Sequence, residues 1–329
     1  MSHPVPLTEI WRGDLLESLH AGHAVICDET GQIVEAWGDP TQLIYPRSAC
    51  KMVQALPLLE SGAADRVGLT PEHLALACAS HNGAAIHTSR VRAWLDDLEL
   101  NDHAFRCGPQ WPAEQVDLHA MIRADESPCQ YHNNCSGKHA GFLTLSRDIG
   151  AGPEYVEPDH PVQKACKEAF ERATGEDSPG FGIDGCSAPN FQTTLLGLGR
   201  AMARFAAAPR DTAEARLREA MMLHPELVAG EGRSCTRLMR AMGGAAAIKT
   251  GAEGVFVAIL PGKKLGVALK ITDGATRASE CAIAALLVRL GVLDPDHAAT
   301  RAYLNAPILN RRDIQTGTIR PAAALLDAC

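Results

Sequence analysis

The chain lacks the features that mark membrane, nucleic-acid-binding and disordered proteins. No stretch of the 329 residues approaches the roughly 20 consecutive apolar residues that a membrane-spanning helix needs. Positive charge is not in excess, because the formal net charge is −8, and an acidic surface repels phosphate groups. Repeats and low-complexity tracts are also missing, while 46% of the residues are hydrophobic and 21% are charged, as in ordinary globular proteins. We therefore expect an enzyme for a small molecule, with no nucleic-acid partner and no membrane partner.

The N-terminal segment lacks the apolar core of a signal peptide, roughly 7–15 residues long, since Glu9, Arg12 and Asp14 interrupt it. We therefore expect the protein to be cytoplasmic. In that reducing compartment the eleven cysteines are expected to be packing residues, metal ligands or reactive thiols rather than disulfides. The paired C-x-x-C and the H-E-x-x-H motifs that mark many zinc sites are absent from the sequence.

Strand-like sequence lies near both ends of the chain, whereas the middle has helical spacing. Residues 23–28 and 32–37 flank a Gly-containing turn and predict a hairpin, and a helix is expected to open near Ser48. Apolar residues at three- and four-residue spacing predict helices at 71–79, 87–98, 141–148, 161–174, 191–207 and 212–222. Further strands are predicted at 247–250, 254–260 and 264–271, followed by a helix at about 276–290.

These patterns predict an α/β (α+β) fold. We expect one antiparallel sheet built from both termini and flanked by helices, plus a mainly helical lobe. Together they form a single catalytic unit, in which the sheet lobe covers about 1–60 and 245–329 and the helical lobe about 61–244.

Three short motifs carry the predicted chemistry. The first is Ser48-Ala-Cys-Lys51, an S-x-x-K at a helix start, where the lysine amine can reach the serine hydroxyl and remove its proton. Alone it is a weak signal, because an N-cap serine followed by a solvated lysine has the same spacing. The others are Ser80-His-Asn82 and Lys249-Thr-Gly251, and K-T-G is the rarer chance match.

The order S-x-x-K, S-x-N, K-T-G is typical of class A β-lactamases and penicillin-binding proteins, although the middle motif here is S-H-N. It predicts two Ser–Lys pairs, Ser48 with Lys51 and Ser80 with Lys249. Two ammonium groups in one cleft repel each other, so at least one of the lysines is expected to be neutral near pH 7.

A second group of residues is metal-like. His132-Asn-Asn-Cys-Ser-Gly-Lys-His139 places Cys135 between two histidines, and Ile183-Asp-Gly-Cys-Ser-Ala-Pro189 places Cys186 in a tight turn. Zinc favours Cys and His ligands. From spacing alone these cysteines are metal ligands, reactive thiols or ordinary loop cysteines near a cleft.

Taken together, Pro46–Lys51, Ser80–Asn82, His132–His139, Asp184–Pro189 and Lys249–Gly254 resemble the rhizobial-type (class 3) L-asparaginases of the asparaginase II family, which are related in fold to serine β-lactamases and glutaminases. The resemblance implies a homodimer that hydrolyses L-asparagine to L-aspartate and ammonia, with tandem Ser48/Lys51 and Ser80/Lys249 pairs. It also implies a zinc-type metal held by Cys135, Lys138 and Cys186, with Cys235 nearby. The metal is not expected to perform the chemistry itself.

In the predicted mechanism Ser48 attacks the side-chain amide of asparagine and forms an acyl-enzyme that water hydrolyses, and the two serines are exchangeable in these roles. Arg47 is the predicted partner of the substrate α-carboxylate, and Asp184 that of the α-ammonium. Further substrate contacts are assigned to four residues: Asn82, His139, Thr250 and Gly251.

Two alternatives remain. The nearer is another Ser–Lys amidohydrolase, a glutaminase or a β-lactamase-like enzyme. The remote one is a cysteine-based metal or redox sensor, which would tolerate the loss of Ser48.

Overall fold

The computed structural model describes residues 3–326. Its strands are β1 Val5–Arg12, β2 Leu15–Cys27, β3 Ile33–Trp37, β4 Leu43–Ile44, β5 Phe181–Ile183, β6 Pro189–Phe191, β7 Thr193–Thr194, β8 Ala247–Thr250, β9 Val255–Leu260, β10 Leu265–Ile271, β11 Ala306–Leu309 and β12 Gln315–Pro321. Its helices are α1 Lys51–Gln54, α2 Leu56–Glu60, α3 Ala63–Arg66, α4 Pro71–Ala77, α5 Ala85–Asp97, α6 Gln115–Arg123, α7 Ser136–Asp148, α8 Pro161–Thr174, α9 Leu195–Ala207, α10 Ala213–Leu223, α11 Pro225–Val228, α12 Ser234–Ala241, α13 Thr276–Arg289, α14 Ala298–Arg301 and α15 Ala323–Leu326.

The chain divides into two compact units. The described residues of the first, the sheet unit, are 3–49, 193–207 and 237–326. Its antiparallel sheet has the order β11-β12-β1-β2-β10-β9-β8, with β3 paired to β2. The N-terminal strands β1 and β2 therefore lie between the C-terminal strands β12 and β10 in one sheet, which confirms the predicted architecture. The predicted hairpin is β2–β3, in which Ala24 pairs with Trp37.

The core of the sheet unit lies around β9 and β10. Every residue of β9 is buried, and alternate residues of a strand point to opposite faces, so both faces of the sheet are covered there. Helices α9 and α13 both pack on β9 and β10. This packing explains why 193–207 belongs to the sheet unit although we expected it in the helical lobe.

The second unit, the helical unit, consists of residues 50–192 and 208–236. Helix α7 is its centre, because it contacts α2, α3, α4, α5 and α8 and is buried without interruption from Ser136 to Ser146. We predicted this helix only from residue 141, since its first turn carries Ser, Lys and His, which do not form an apolar stripe. Residues 50–60, expected in the sheet lobe, also belong to the helical unit.

Other boundaries differ where tertiary pairing decides. The helix predicted from residue 191 begins at Leu195, because Thr193–Thr194 pairs with β4. Strands β1, β11 and β12 and helix α6 were not predicted. Across residues 3–326, no helix is long and apolar enough to cross a membrane.

Candidate active site

The S-x-x-K segment folds as a tight helical turn. Residues Arg47–Cys50 form a 3₁₀-helix that leads into α1 at Lys51, so Ser48 stands one turn before the lysine. Arg47 has a left-handed backbone, with φ 52°, which is unfavourable for a residue other than glycine. Strain of this kind persists only where the surroundings enforce it, and it occurs often at active sites. Ser48 itself is half-buried.

Within the helical unit, Lys51 joins two of the predicted motifs. Its side chain is buried, with 1% exposed. The Nζ atom donates to Ser80 Oγ at 2.9 Å, to Cys135 Sγ at 3.1 Å and to the carbonyl oxygen of Ala79. The lysine of S-x-x-K therefore contacts the serine of S-H-N, whereas the sequence paired it with Ser48.

The S-H-N segment is held by alternating backbone hydrogen bonds. The Ser80 N–H donates to Val228 O at 2.9 Å and the His81 N–H to Asn134 O at 3.1 Å. The two bonds tie the motif to the end of α11 on one hand and to the residue before Cys135 on the other.

His81 connects this segment to α7. Its Nδ1 accepts from the Gly83 N–H at 3.1 Å, so its Nε2 carries the proton and donates to Ser136 Oγ at 2.9 Å. Burial lowers the pKa of His81 well below its usual value, and the neighbouring His87 and Lys51 act in the same direction. The imidazole is therefore a neutral connector.

The K-T-G motif lies on β8 at one edge of the sheet. Lys249 is buried, and its Nζ donates to Thr250 O at 2.7 Å. A Cβ at Gly251 would lie 2.8 Å from Pro46 O and 3.1 Å from Ala49 N. Only glycine therefore allows K-T-G to pack against the backbone that carries Ser48, and both segments belong to the sheet unit.

Two thiols and an amine converge in the helical unit. Cys135 and Lys138 lie at the start of α7, and Cys186 lies in the loop of the β5–β6 hairpin. Lys138 Nζ is 3.0 Å from Cys186 Sγ. The hydrogen bond from Cys135 outweighs burial and, with the Lys138 charge, holds the pKa of the Cys186 thiol well below its usual range. Burial would lower the pKa of Lys138, but the charge of Cys186 raises it.

This cluster fits the predicted zinc ligands. Two sulfur donors and one nitrogen donor meet at one place, and zinc prefers such soft ligands. His139 lies beside this cluster: its Nδ1 contacts Tyr155 Oη at 2.9 Å, and its ring helps to lower the pKa of Cys186. Among residues 3–326, no group of three or more His, Cys, Asp or Glu is placed to hold a metal. A metal here therefore depends on the amine of Lys138.

The other predicted residues have the following places. Asp184 is half-buried, and its charge raises the pKa of Lys138 and of Cys50. Thr250 Oγ1 donates to Gly251 O at 3.3 Å. Cys235 is buried at the start of α12. The ten cysteines within residues 3–326 are free thiols, and Cys329 lies outside the described residues.

Sequence reasoning missed two charged neighbours of Asn82. Its Oδ1 accepts from Arg233 Nη1 at 3.1 Å, and its Nδ2 lies 3.4 Å from Glu114 Oε2 and 3.2 Å from Glu231 O. The sequence signal that could have indicated this segment is Gly230-Glu-Gly232 just before Arg233, since closely spaced glycines often mark a turn or loop.

Solved structures with similar folds include three of different kinds. A β-lactamase from Mycobacterium bovis has 14% identity and a TM-score of 0.46 over 82% of this chain and 94% of that one. Mglu, a glutaminase, has 13% identity and a TM-score of 0.48 over 84% of this chain and 66% of its own. An octameric penicillin-binding protein homologue from Pyrococcus abyssi has 11% identity and a TM-score of 0.35 over 82% and 73%.

The sequence comparisons are more decisive than these distant similarities. No curated protein matches the chain significantly. The model of the L-asparaginase II family matches residues 8–321, which is nearly the whole sequence. The chain therefore belongs to the L-asparaginase II family and is an asparaginase-type amidohydrolase.

Proposed function

We propose that the protein hydrolyses L-asparagine to L-aspartate and ammonia by Ser–Lys nucleophilic catalysis. The observation that carries the proposal is the contact between Lys51 Nζ and Ser80 Oγ at 2.9 Å, which joins two of the three motifs in a buried place. A serine hydroxyl becomes a nucleophile when an adjacent base removes its proton. Lys51 can be that base in its neutral form, in which Nζ accepts a hydrogen bond from the serine hydroxyl instead of donating one.

The first chemical step is acylation. Lys51 takes the proton of Ser48, whose oxygen attacks the side-chain amide carbon, and the oxyanion is held by backbone N–H groups of Ser48 and of a residue near β8. Collapse of this intermediate breaks the C–N bond, and the Ser80–Lys249 pair gives the proton with which ammonia leaves. In the exchanged version Lys51 activates Ser80, the serine that it contacts.

The second step is hydrolysis. Water attacks the ester, and the base returns a proton to the serine as aspartate leaves. The substrate assignments made from the sequence stay proposals: Arg47 for the α-carboxylate, Asp184 for the α-ammonium, and His139, Asn82, Thr250 and Gly251 for further contacts. His139 is oriented by Tyr155, whose hydroxyl accepts from the Arg106 N–H at 2.8 Å and thus donates to His139 Nδ1.

Zinc is a proposed accessory group. Cys135, Lys138 and Cys186 would hold it, and when bound it supplies a fixed positive charge beside the site. Lys138 would bind as the neutral amine, so metal binding competes with the Lys138–Cys186 ion pair. The homodimer and the cytoplasmic location implied by the sequence likewise stay proposals.

The test measures ammonia release from L-asparagine and L-glutamine, together with the mass of the rapidly quenched enzyme. We expect Ser48→Ala, Ser80→Ala, Lys51→Met and Lys249→Met each to lower kcat by about 10²–10⁴-fold or more. The acyl adduct should be lost in the variant that removes the nucleophile. Ser89→Ala, on the exposed face of α5, serves as the control.

Two results would count against the proposal. If Ser48→Ala and Ser80→Ala both keep full activity, neither serine is the nucleophile. If neither amide releases ammonia, the asparaginase assignment fails. A kcat/KM that favours glutamine identifies the glutaminase alternative, since one methylene is worth about 10–200-fold.

A further inference from the structure

Asn82 stands between a cation and an anion. Its carbonyl end accepts from the Arg233 guanidinium at 3.1 Å, and its amide end points to the Glu114 carboxylate at 3.4 Å. Both charged side chains are half-buried. All three residues belong to the helical unit, as do Ser80 and Lys51.

The segment 228–233 holds this arrangement against the S-H-N motif. Val228 O accepts from the Ser80 N–H, and Glu231 O accepts from the Asn82 side chain at 3.2 Å. Gly230, with φ 117°, lies so close that a Cβ there would be 2.6 Å from Asn82 Nδ2. The segment thus fixes Arg233 relative to Ser80.

Neither charge directly contacts an opposite charge among residues 3–326. In the part of the chain that the structure describes, Arg233 and Glu114 have no ion-pair partner, and Asn82 is the side chain that each contacts. A guanidinium has five N–H donors, and the contact with Asn82 uses one of them. The others remain available for a carboxylate.

Resting on the proposed function, we infer that Arg233, Asn82 and Glu114 form the subsite for the amino-acid head group of the substrate, called here the head-group subsite. Arg233 binds the α-carboxylate, Glu114 binds the α-ammonium, and Asn82 keeps the two apart. Neither charged residue was assigned a role from the sequence.

The dimensions suit asparagine. Ser80 and Asn82 are two positions apart, so their Cα atoms lie at most about 7 Å apart. The side-chain amide carbon of asparagine is separated from its carboxyl carbon by three C–C bonds, a span of about 4 Å. In the exchanged version of the mechanism, in which Ser80 is the nucleophile, the amide can therefore lie at Ser80 while the head group lies near Asn82.

The sequence had assigned the head group to Arg47 and Asp184. Among residues 3–326, Glu114 and Arg233 form no direct ion pair, so both charges can face a ligand. The experiment therefore compares both sets.

The test uses three amides with the full chain, each measured by ammonia release and as a competitive inhibitor of asparagine turnover. L-asparagine carries both charges, succinamate lacks the α-ammonium, and 3-aminopropanamide lacks the α-carboxylate. We expect Arg233→Gln to lower kcat/KM for L-asparagine and succinamate by about 10- to 100-fold and to leave 3-aminopropanamide unchanged. Glu114→Gln should lower kcat/KM for L-asparagine and 3-aminopropanamide but not for succinamate.

Conservative and control variants complete the design. Arg233→Lys should retain part of the preference for a carboxylate, because it keeps the charge but loses the fork geometry. Arg123→Gln and Glu126→Gln, both exposed near the end of α6, should leave kcat/KM for all three amides unchanged. Arg47→Gln and Asp184→Asn are measured with the same three amides.

The outcomes are distinct. The head-group subsite is wrong if Arg233→Gln lowers kcat/KM equally for all three amides or for none of them. It is also wrong if only Arg47→Gln lowers kcat/KM selectively for the amides that carry a carboxylate. In both cases the asparaginase proposal stands. If the unchanged protein releases no ammonia from asparagine, the proposed function fails and the subsite with it.

Discussion

Replacing Gly230 by alanine tests whether the segment 228–233 positions Asn82. Gly230 has φ 117°, and the added Cβ would lie 2.6 Å from Asn82 Nδ2 and 2.7 Å from its Cγ. Ordinary van der Waals contact begins at 3.4 Å, so the side chain or the segment must move by 0.8 Å. A misplacement of about 1 Å can cost about 10²-fold in rate.

Gly232→Ala is the matched control. It also has a left-handed backbone, with φ 76°, but its added Cβ would meet no atom within 4 Å. The backbone penalty for an L-residue there is about 1–2 kcal/mol. Gly230→Ala adds overpacking of about 1–3 kcal/mol to a similar penalty.

Urea unfolding and asparagine kinetics separate the two variants. We expect Gly232→Ala to lose about 1–2 kcal/mol of stability and to keep kcat/KM. Gly230→Ala should lose about 2–5 kcal/mol and about 10- to 100-fold in kcat/KM. If the two variants lose equal stability and equal activity, the contact between Gly230 and Asn82 does not position anything, and the reasoning is refuted.

Three further predictions follow from buried polar groups. Tyr155→Phe leaves His139 Nδ1 and a backbone N–H unpartnered, so urea unfolding should show a loss of about 1–3 kcal/mol; no loss would mean that water replaces the hydroxyl. Burial lowers the pKa of His81 and of His87 below the unfolded value near 6.5, so their contribution to stability is present above that pH and is lost as the pH falls below it. A Tm that stays constant between pH 7 and pH 5 would contradict this. Zinc added to metal-free protein should raise the Tm, but not that of Cys186→Ser, and equal shifts in both would exclude the predicted ligands.

The sheet could be predicted because its strands have local signals. β-rich runs on either side of a Gly-containing turn specify the β2–β3 hairpin, and the same holds for β8, β9 and β10. Strands β11 and β12 were missed, since β11 contains a proline and β12 a glycine, and β12 joins the sheet by pairing with the distant β1. Their local sequence does not indicate strands, and tertiary contacts decide.

Helix α7 shows a different reason for failure. Its first turn, Ser136-Gly-Lys-His139, is buried on all sides, so polar and apolar residues are not separated onto two faces of the helix. Periodicity therefore carries no signal there. The same burial places Lys138 beside Cys186, which the sequence could indicate only through a family resemblance.

The candidate site divides into residues that a motif can indicate and residues that it cannot. A nucleophile and its base must lie within hydrogen-bond distance, and a helical turn provides that geometry with a fixed spacing, so S-x-x-K is visible in the sequence. The actual contact between Lys51 and Ser80 spans 29 positions, and it follows from the packing of the helical unit rather than from either motif.

Recognition of a charged head group has no required spacing at all, since each charge needs only to reach the ligand. Glu114 and Arg233 lie 32 and 151 positions from Asn82, and only the fold brings them to its two ends. Sequence motifs therefore indicate the residues that react, but not the residues that select the substrate. The residues of the head-group subsite became apparent only from the structure.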